Sequence, residues 1–371
     1  MRERVLASTG HRCGHSRRLF TLLAALLLGG LLCLLAGCSD DPGVVTYETP
    51  PPPISSPWLF DVWGSGPSDV WAVGRPGVLL HWDGNAWALR EDLDTAEALT
   101  AVWGSGPSDV FVVGHKGLAW RYNGSVWSGL GTGTSENLYD VGKGPGGATY
   151  ICGARGVVKR LENLTWIETP DTAMLYNSDG TTSVDTLLRS QWDIASLTCV
   201  TDYGISGSGG VVLMADTRPT RWLLGPIGTP DWINAGQGSA TIADNFLATD
   251  TGKLFRLQLI FDRFSWLEVS SPASEAVEAM WSDGLDSWFV TRTGKIIRRA
   301  NDGSTLATVH LGILPLSGIW GSSASDIWAC GYDGTMLHWD GAAWSPISVP
   351  LPESGKLLSG PEADEYGRPL R

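Results

Sequence analysis

The chain has 371 residues, of which only 18% are charged, and its 39 acidic and 26 basic residues give a formal net charge of −13. Its 47 glycines and 19 tryptophans favour many short apolar strands joined by tight turns, and they exclude long amphipathic helices, coiled coils and collagen. The acidic balance also excludes nucleic acid as a partner, because binding to phosphates needs a basic surface.

Residues 1–37 have the composition of an export signal, in which five arginines precede a mostly apolar run from Leu19 to Leu35. The chain then resembles the lipobox of bacterial lipoproteins at Leu35-Ala36-Gly37-Cys38. In that family the signal is cleaved before a cysteine that carries lipid. The resemblance implies a mature protein that begins at an acylated Cys38, and the following Ser39 implies the outer membrane. An uncleaved transmembrane anchor is the alternative, because the apolar run could just span a bilayer.

Cleavage at this site leaves 21 basic and 38 acidic residues, so the net charge of the mature chain is −17. Three cysteines remain besides Cys38, and an odd number does not form a disulfide framework. They are Cys152, Cys199 and Cys330. Cys199 has no Cys or His partner at zinc-ligand spacing, so we expect neither a metal nor a cofactor. Residues 38–57 contain the run Pro50-Pro51-Pro52-Pro53, which is typical of a semi-rigid linker.

An internal repeat with a period near 40 residues follows the linker. The octapeptide that begins at Trp63 recurs without change at Trp103 and in a variant form at Trp320. One glycine marks each copy, and the seven markers are Gly77, Gly117, Gly156, Gly210, Gly252, Gly294 and Gly334. This period, with four short apolar runs per copy, predicts an all-β fold, a seven-bladed β-propeller of four-stranded blades over residues 58–351.

The best copies resemble the Trp-rich propeller repeats of bacterial envelope proteins, which read W-G-S-x-x-x-D-V-W-A-V-G-x-x-G-x-x-x-H-W-D-G-x-x-W. Copies one, two and seven match closely, and the resemblance covers about four fifths of the chain. It implies the propeller fold and a secreted or lipid-anchored location. It implies no particular activity, because the family has none in common.

Two polar columns of the repeat are interpreted as structural. Asp69 and its equivalents precede the second strand of each blade, where a carboxylate can accept hydrogen bonds from nearby backbone amides. His81 and His338 occupy one repeat position and therefore point outward on different blades. A glycosidase needs two carboxylates that face one another across a bond, whereas one Asp per blade separates them. No catalytic residue is predicted.

A candidate ligand mouth lies where the turns between the second and third strands meet the central channel. Four of the seven blades place a basic residue there, and the predicted residues are Arg75, His115, Lys116, Arg155 and Arg292. In a chain of this acidity they favour a shallow site for an anionic group, such as a glycan carboxylate or an acidic partner loop. The alternative is that they are solvated turn residues that partly neutralise the acidic segment at residues 91–94.

Two further segments depart from the repeat. Residues 170–196 lengthen one repeat interval to 54 residues and are expected to project from the rim, and residues 352–371 are expected to be a disordered tail. Together, these features predict a non-enzymatic, lipid-anchored scaffold for interaction or assembly in the bacterial envelope, with an unknown envelope protein or an anionic glycan as partner. A lectin-like glycan-binding module and a polysaccharide hydrolase or lyase are the alternatives.

Overall fold

The computed structural model describes residues 56–170, 172–176, 182–188, 196–215, 222–238, 244–260, 263–300 and 306–352. The predicted signal, the lipidation site Cys38, most of the linker and most of the tail lie outside the described residues. In the part of the chain that is described, no helix is long and apolar enough to cross a membrane.

Seven sheets form a ring, and in each the blade's four strands pair antiparallel in chain order from the innermost strand outward. The predicted all-β, seven-bladed β-propeller is therefore confirmed. The first three blades contain β1 (Trp58–Gly66), β2 (Asp69–Arg75), β3 (Val78–Trp82), β4 (Trp87–Leu89), β5 (Leu99–Gly106), β6 (Asp109–Gly114), β7 (Ala119–Tyr122), β8 (Trp127–Gly129), β9 (Leu138–Lys143), β10 (Thr149–Gly153), β11 (Val158–Glu162) and β12 (Thr165–Glu168).

Blade four has two strands more than the others. The extra strands are β13 (Thr172–Tyr176) and β14 (Thr182–Leu188), and the repeat strands are β15 (Leu197–Thr201), β16 (Gly204–Gly207), β17 (Val211–Ala215) and β18 (Trp222–Pro226). β13 pairs antiparallel with β14 and parallel with β18, so these residues of the predicted insertion widen the sheet at its outer edge. The rest of the interval 170–196, including Trp192, is largely outside the described residues.

The last three blades return to four strands each. They contain β19 (Ile233–Gln237), β20 (Phe246–Thr249), β21 (Leu254–Ile260), β22 (Arg263–Val269), β23 (Val277–Ser282), β24 (Asp286–Thr291), β25 (Lys295–Ala300), β26 (Leu306–Leu311), β27 (Leu316–Ser323), β28 (Asp326–Gly331), β29 (Met336–Trp339) and β30 (Trp344–Pro346). Short 3-10 turns occur at His115–Gly117, Pro145–Gly147 and Ser208–Gly210.

The tryptophans of the repeat fill the space between blades. In most blades an aromatic ring on the fourth strand of the repeat packs against an aromatic ring on the second strand of the preceding blade, with ring centroids 5.2 to 6.2 Å apart. These pairs are Trp87 with Trp328, Trp127 with Trp71, Trp344 with Trp288, Trp166 with Phe111 and Trp222 with Tyr150. The second-strand rings are almost wholly buried, so these columns form core rather than binding platforms.

The ring closes without exchanging a strand between its two ends. Trp320 of blade seven lies over Gly64 of blade one, and a Cβ atom on that glycine would come within 2.6 Å of the ring. Trp63 lies over Gly104 in the same way between blades one and two. The Nε1 of Trp58 also donates a hydrogen bond of 2.6 Å to the hydroxyl of Ser317. The closing seam is therefore packed like an ordinary one.

Each innermost strand carries one bulged residue near its start, at the same position in all seven blades. The bulged residues are Phe60, Thr100, Tyr139, Thr198, Asn234, Glu278 and Ser317. A bulge interrupts the regular strand pairing at its residue and redirects the side chain. All seven of these residues line the central channel, and we call them the bulge ring.

Candidate functional site

The central channel holds a cavity of about 250 Å³ that is lined by residues from all seven blades. It lies around the bulge ring, and Trp58, Pro315 and Arg292 border it where the innermost strands begin. The loops between blades and the turns between second and third strands meet at this end, as the hydrogen bond from the amide of His115 to the carbonyl of Ala98 shows. We call this end of the propeller the mouth face. It is the face on which the sequence predicts a ligand site.

Two carboxyl groups inside the cavity join neighbouring blades. The two oxygens of Asp61 accept hydrogen bonds from the amides of Val62, at 2.8 Å, and of Val102 in the next blade, at 2.9 Å. Asp140 makes the same two contacts, with the amides of Val141 at 2.8 Å and Val200 at 2.7 Å. In each carboxyl, one oxygen accepts the amide of the next residue in its own strand, and the other links this strand to the innermost strand of the next blade.

Burial changes the acidity of both groups. Loss of hydration raises the pKa of Asp61 to about 7, against the lowering effect of its two amide donors. Loss of hydration likewise raises the pKa of Asp140 to about 8, and the charge of Asp61 adds to the rise. The pair therefore changes protonation around neutral pH. The sequence did not predict this feature, because the equivalent residues in other blades are apolar or small, such as Ala101 and Ala235.

Hydroxyl groups of the bulge ring form hydrogen bonds across two other boundaries, between blades two and three and between blades four and five. Thr100 donates a hydrogen bond of 2.8 Å to the carbonyl of Leu138, and Thr198 donates one of 2.5 Å to the carbonyl of Ile233. Each bond reaches the innermost strand of the following blade. Together with Asp61 and Asp140, these bonds connect the innermost strands of blades one to five in succession.

The structure distributes the five predicted mouth residues around the rim instead of gathering them. Arg292 lines the cavity and donates from its Nε to Glu278 at 2.7 Å. The guanidinium of Arg75 lies 5.8 Å from the ring centroid of Trp58, and His115 is half-buried in its turn. The other two residues, Lys116 and Arg155, are exposed side chains of neighbouring blades.

Rim cations form ion pairs with carboxylates of the interblade loops. The Nζ of Lys116 lies 2.8 Å from Glu97, and Arg155 lies 3.4 Å from Glu136. Two pairs that the sequence did not predict repeat this arrangement, Lys253 with Asp231 at 2.8 Å and Lys295 with Glu275 at 2.7 Å. The hydrogen bond from Lys253 lowers the pKa of Asp231 to about 2. None of these four carboxylates lies within residues 91–94, although Glu97 belongs to the same interblade loop as that segment.

The Asp and His columns lie at the opposite end of the blades, and their contacts are with side chains. Asp69 accepts hydrogen bonds from Ser65 at 2.5 Å, from Trp71 at 3.1 Å and from His81 at 2.7 Å. Asp326 forms the corresponding contacts with Ser322 and His338. The donors are side chains, whereas the sequence predicted backbone amides. Asp69 and Asp326 each connect the turn of their own blade to its third strand.

The three cysteines of the propeller are buried and free, as packing residues of the core. Burial raises the pKa of each thiol above its ordinary value, so these groups are poor nucleophiles. In the described part of the chain, no group of three or more His, Cys, Asp or Glu side chains is placed to hold a metal ion.

Comparison with models of protein families gives no match, and comparison with curated proteins gives none either. Solved structures do match. YCF48 from Cyanidioschyzon merolae has a TM-score of 0.54 at 17% identity, over 76% of this chain and 95% of that one. A structure of YCF48 bound to D1 peptide gives 0.53 at 16%, over 76% and 92% of the two chains. The WD40 β-propeller domain of Doa1 gives 0.60 at 11%, over 78% and 93%. These similarities show that the chain has a WD40-like β-propeller fold.

Proposed function

We propose that this protein is a non-enzymatic interaction scaffold that binds a partner protein at the mouth face. In this proposal a lipid on Cys38 anchors the protein to the outer membrane of the bacterial envelope. The observation that carries the proposal is the cavity on this face. All seven blades contribute to it, and its wall combines aromatic side chains, as at Phe60 and Tyr139, with hydroxyl and amide groups. Concave surfaces of this composition are typical of binding sites.

The chemistry of the carboxyl groups supports binding rather than catalysis. Asp61 and Asp140 do converge on one cavity, as a polysaccharide-acting enzyme would require. Each of their oxygens, however, accepts a backbone amide at 2.7 to 2.9 Å, and one bond from each carboxyl joins two neighbouring blades. A general acid or base must be able to approach the substrate with its proton, and these oxygens face the chain instead.

The structural comparison adds support of a general kind. A propeller with a similar fold, YCF48, has been solved with a peptide bound. We propose by analogy that a peptide segment or loop of the partner enters the mouth of this propeller. The predicted contact with an anionic group, at Arg75, His115, Lys116, Arg155 and Arg292, belongs to the same proposal as the polar edge of the site.

Crosslinking of the lipidated protein in its own envelope, followed by capture and mass spectrometry, tests the function. The double variant Phe60→Ala, Tyr139→Ala removes the aromatic wall, and Leu285→Ala on the opposite face is the control. Loss of a central aromatic contact weakens binding by about 10-fold or more. We expect the double variant to lose its partner and the control to retain it. Equal capture by both would refute the proposal, and binding of the protein to a glycan array, or turnover of envelope polysaccharide, would replace it.

A further inference from the structure

The described chain enters the propeller on the mouth face, close to the ring axis. Trp58 is the first residue of β1, and its ring borders the cavity. The carbonyl of Pro57 accepts a hydrogen bond of 3.0 Å from the amide of Gly334, in the turn between the second and third strands of blade seven. The backbone at Pro57 therefore lies on this face.

The segment between the predicted lipid and this point is short. Nineteen residues lie between Cys38 and Trp58, and they include four consecutive prolines. Even fully extended in the polyproline form, at about 3.1 Å per residue, the linker spans only about 60 Å. A propeller tied by such a linker at the centre of one face is more easily oriented with that face toward its anchor than away from it.

The mouth face also exposes an apolar side chain that has no role in the core. Ile313, in the loop before blade seven, is 93% exposed and lies two residues from Pro315 at the cavity. An exposed isoleucine beside a concave site is a suitable contact for a partner.

We infer that the mouth face is turned toward the membrane that holds the lipid, and that its partner is an extramembranous segment of a protein embedded in that membrane. This inference rests on the proposed lipid anchor. It restricts the occupant of the cavity, because a segment that emerges from the same bilayer meets the mouth directly, whereas a soluble partner must enter the space between the propeller and the lipid.

The full-length lipidated protein in liposomes tests the orientation. The variants Ile313→Cys and Leu285→Cys form a matched pair, because both wild-type residues are highly exposed aliphatic side chains, at 93% and 78%, on opposite faces next to blade six. Strand β24 runs from the face that carries Leu285 to the face that carries Ile313. Because it has six residues, the two positions differ by about 20 Å in height along the ring axis. The native cysteines of the propeller are buried and leave the introduced thiol as the site for a donor dye.

We expect stronger energy transfer to an acceptor lipid from position 313 than from position 285. Equal transfer from the two positions, or stronger transfer from 285, would overturn the inference while leaving partner binding by the scaffold intact. The mass of the mature N-terminus is measured on the same sample, and an unacylated chain would overturn both the anchor and the orientation.

A photo-crosslinking residue placed at the same two positions in the native envelope tests the partner. We expect an adduct from position 313 that is not formed from 285, and peptides from the adduct should identify a protein with at least one membrane-spanning segment. A partner from position 313 that lacks such a segment would contradict the inference, although it would still agree with the scaffold function.

Discussion

Replacement of Asp61 by Asn should change how the stability of the propeller depends on pH. The wild-type carboxyl has a pKa of about 7 in the folded protein, raised from 3.8 by burial. Between these values the folded state binds more protons than the unfolded state, so this group's contribution to stability is fully present below about pH 4 and is lost as the pH rises through 7. The asparagine side chain cannot ionise, so the variant lacks this loss.

The magnitude follows from the size of the shift. A difference of about three pKa units at about 1.4 kcal/mol each makes the ionised folded state less stable by about 4 kcal/mol. The substitution has its own cost, because an amide offers one oxygen where the carboxyl offers two, and the amide of Val62 or Val102 loses its acceptor. A buried donor left without a partner costs about 1 to 3 kcal/mol. Wild type has lost about 1.6 kcal/mol of this contribution at pH 5 and about 4 kcal/mol at pH 8, so between these pH values its free energy of unfolding should fall by about 2.5 kcal/mol more than that of the variant. At pH 8 the variant should be as stable as wild type or more stable.

Guanidinium titrations at pH 5 and pH 8, with refolding checked, give the two free energies of unfolding. Asp83→Asn is the matched control. The carboxylate of Asp83 accepts two amides of an exposed turn, and Asn123 accepts the same two amides in the next blade, so the control should match wild type at both pH values. Parallel pH dependence in wild type and Asp61→Asn would refute the assignment of a raised pKa to this carboxyl.

Three other perturbations test the packing and the rim. Gly64→Ala places a methyl group within 2.6 Å of Trp320 at the closing seam and should destabilise the protein by about 1 to 3 kcal/mol. Gly66→Ala is the control, because its methyl group meets nothing within 4 Å. An equal decrease in the melting temperature of both variants would contradict the packing of this seam. Asp69→Ala removes the acceptor of three side-chain donors and should cost about 1 to 3 kcal/mol by the same melt, with an unchanged midpoint as the contrary result. Charge reversal at three rim arginines tests the anionic-group site, and capture that remains unchanged, with the fold verified by circular dichroism, would exclude it. The three are Arg75, Arg155 and Arg292.

The sequence alone determined the number of blades and the order of their strands. Glycine, tryptophan and aspartate recur with a fixed period because each is needed at the same place in every blade. Gly64 must admit a tryptophan of the neighbouring blade, Trp87 must fill the wedge between blades, and Asp69 must fix a turn. A local requirement that repeats seven times leaves a column in the sequence, and such a column can be found without knowing the fold.

The candidate site could be predicted only in part. Of the five residues predicted for the ligand mouth, Arg292 lines the cavity. The sequence did not identify the loop carboxylates that pair with the rim cations, such as Glu97 and Glu136, because an ion pair between two loops has no fixed spacing that a repeat analysis would detect. The five predicted residues remain a prediction about the ligand.

Only the tertiary structure decided what lines the channel. The bulge ring changes residue type in almost every blade, from Phe60 to Thr100 to Tyr139, so it forms no column. Asp61 reaches an amide 41 residues away and Asp140 reaches one 60 residues away. Contacts of this kind exist only when the ring has closed and each innermost strand lies beside the next. The repeat therefore specifies the scaffold, and the positions where the repeat is broken specify what lines the channel.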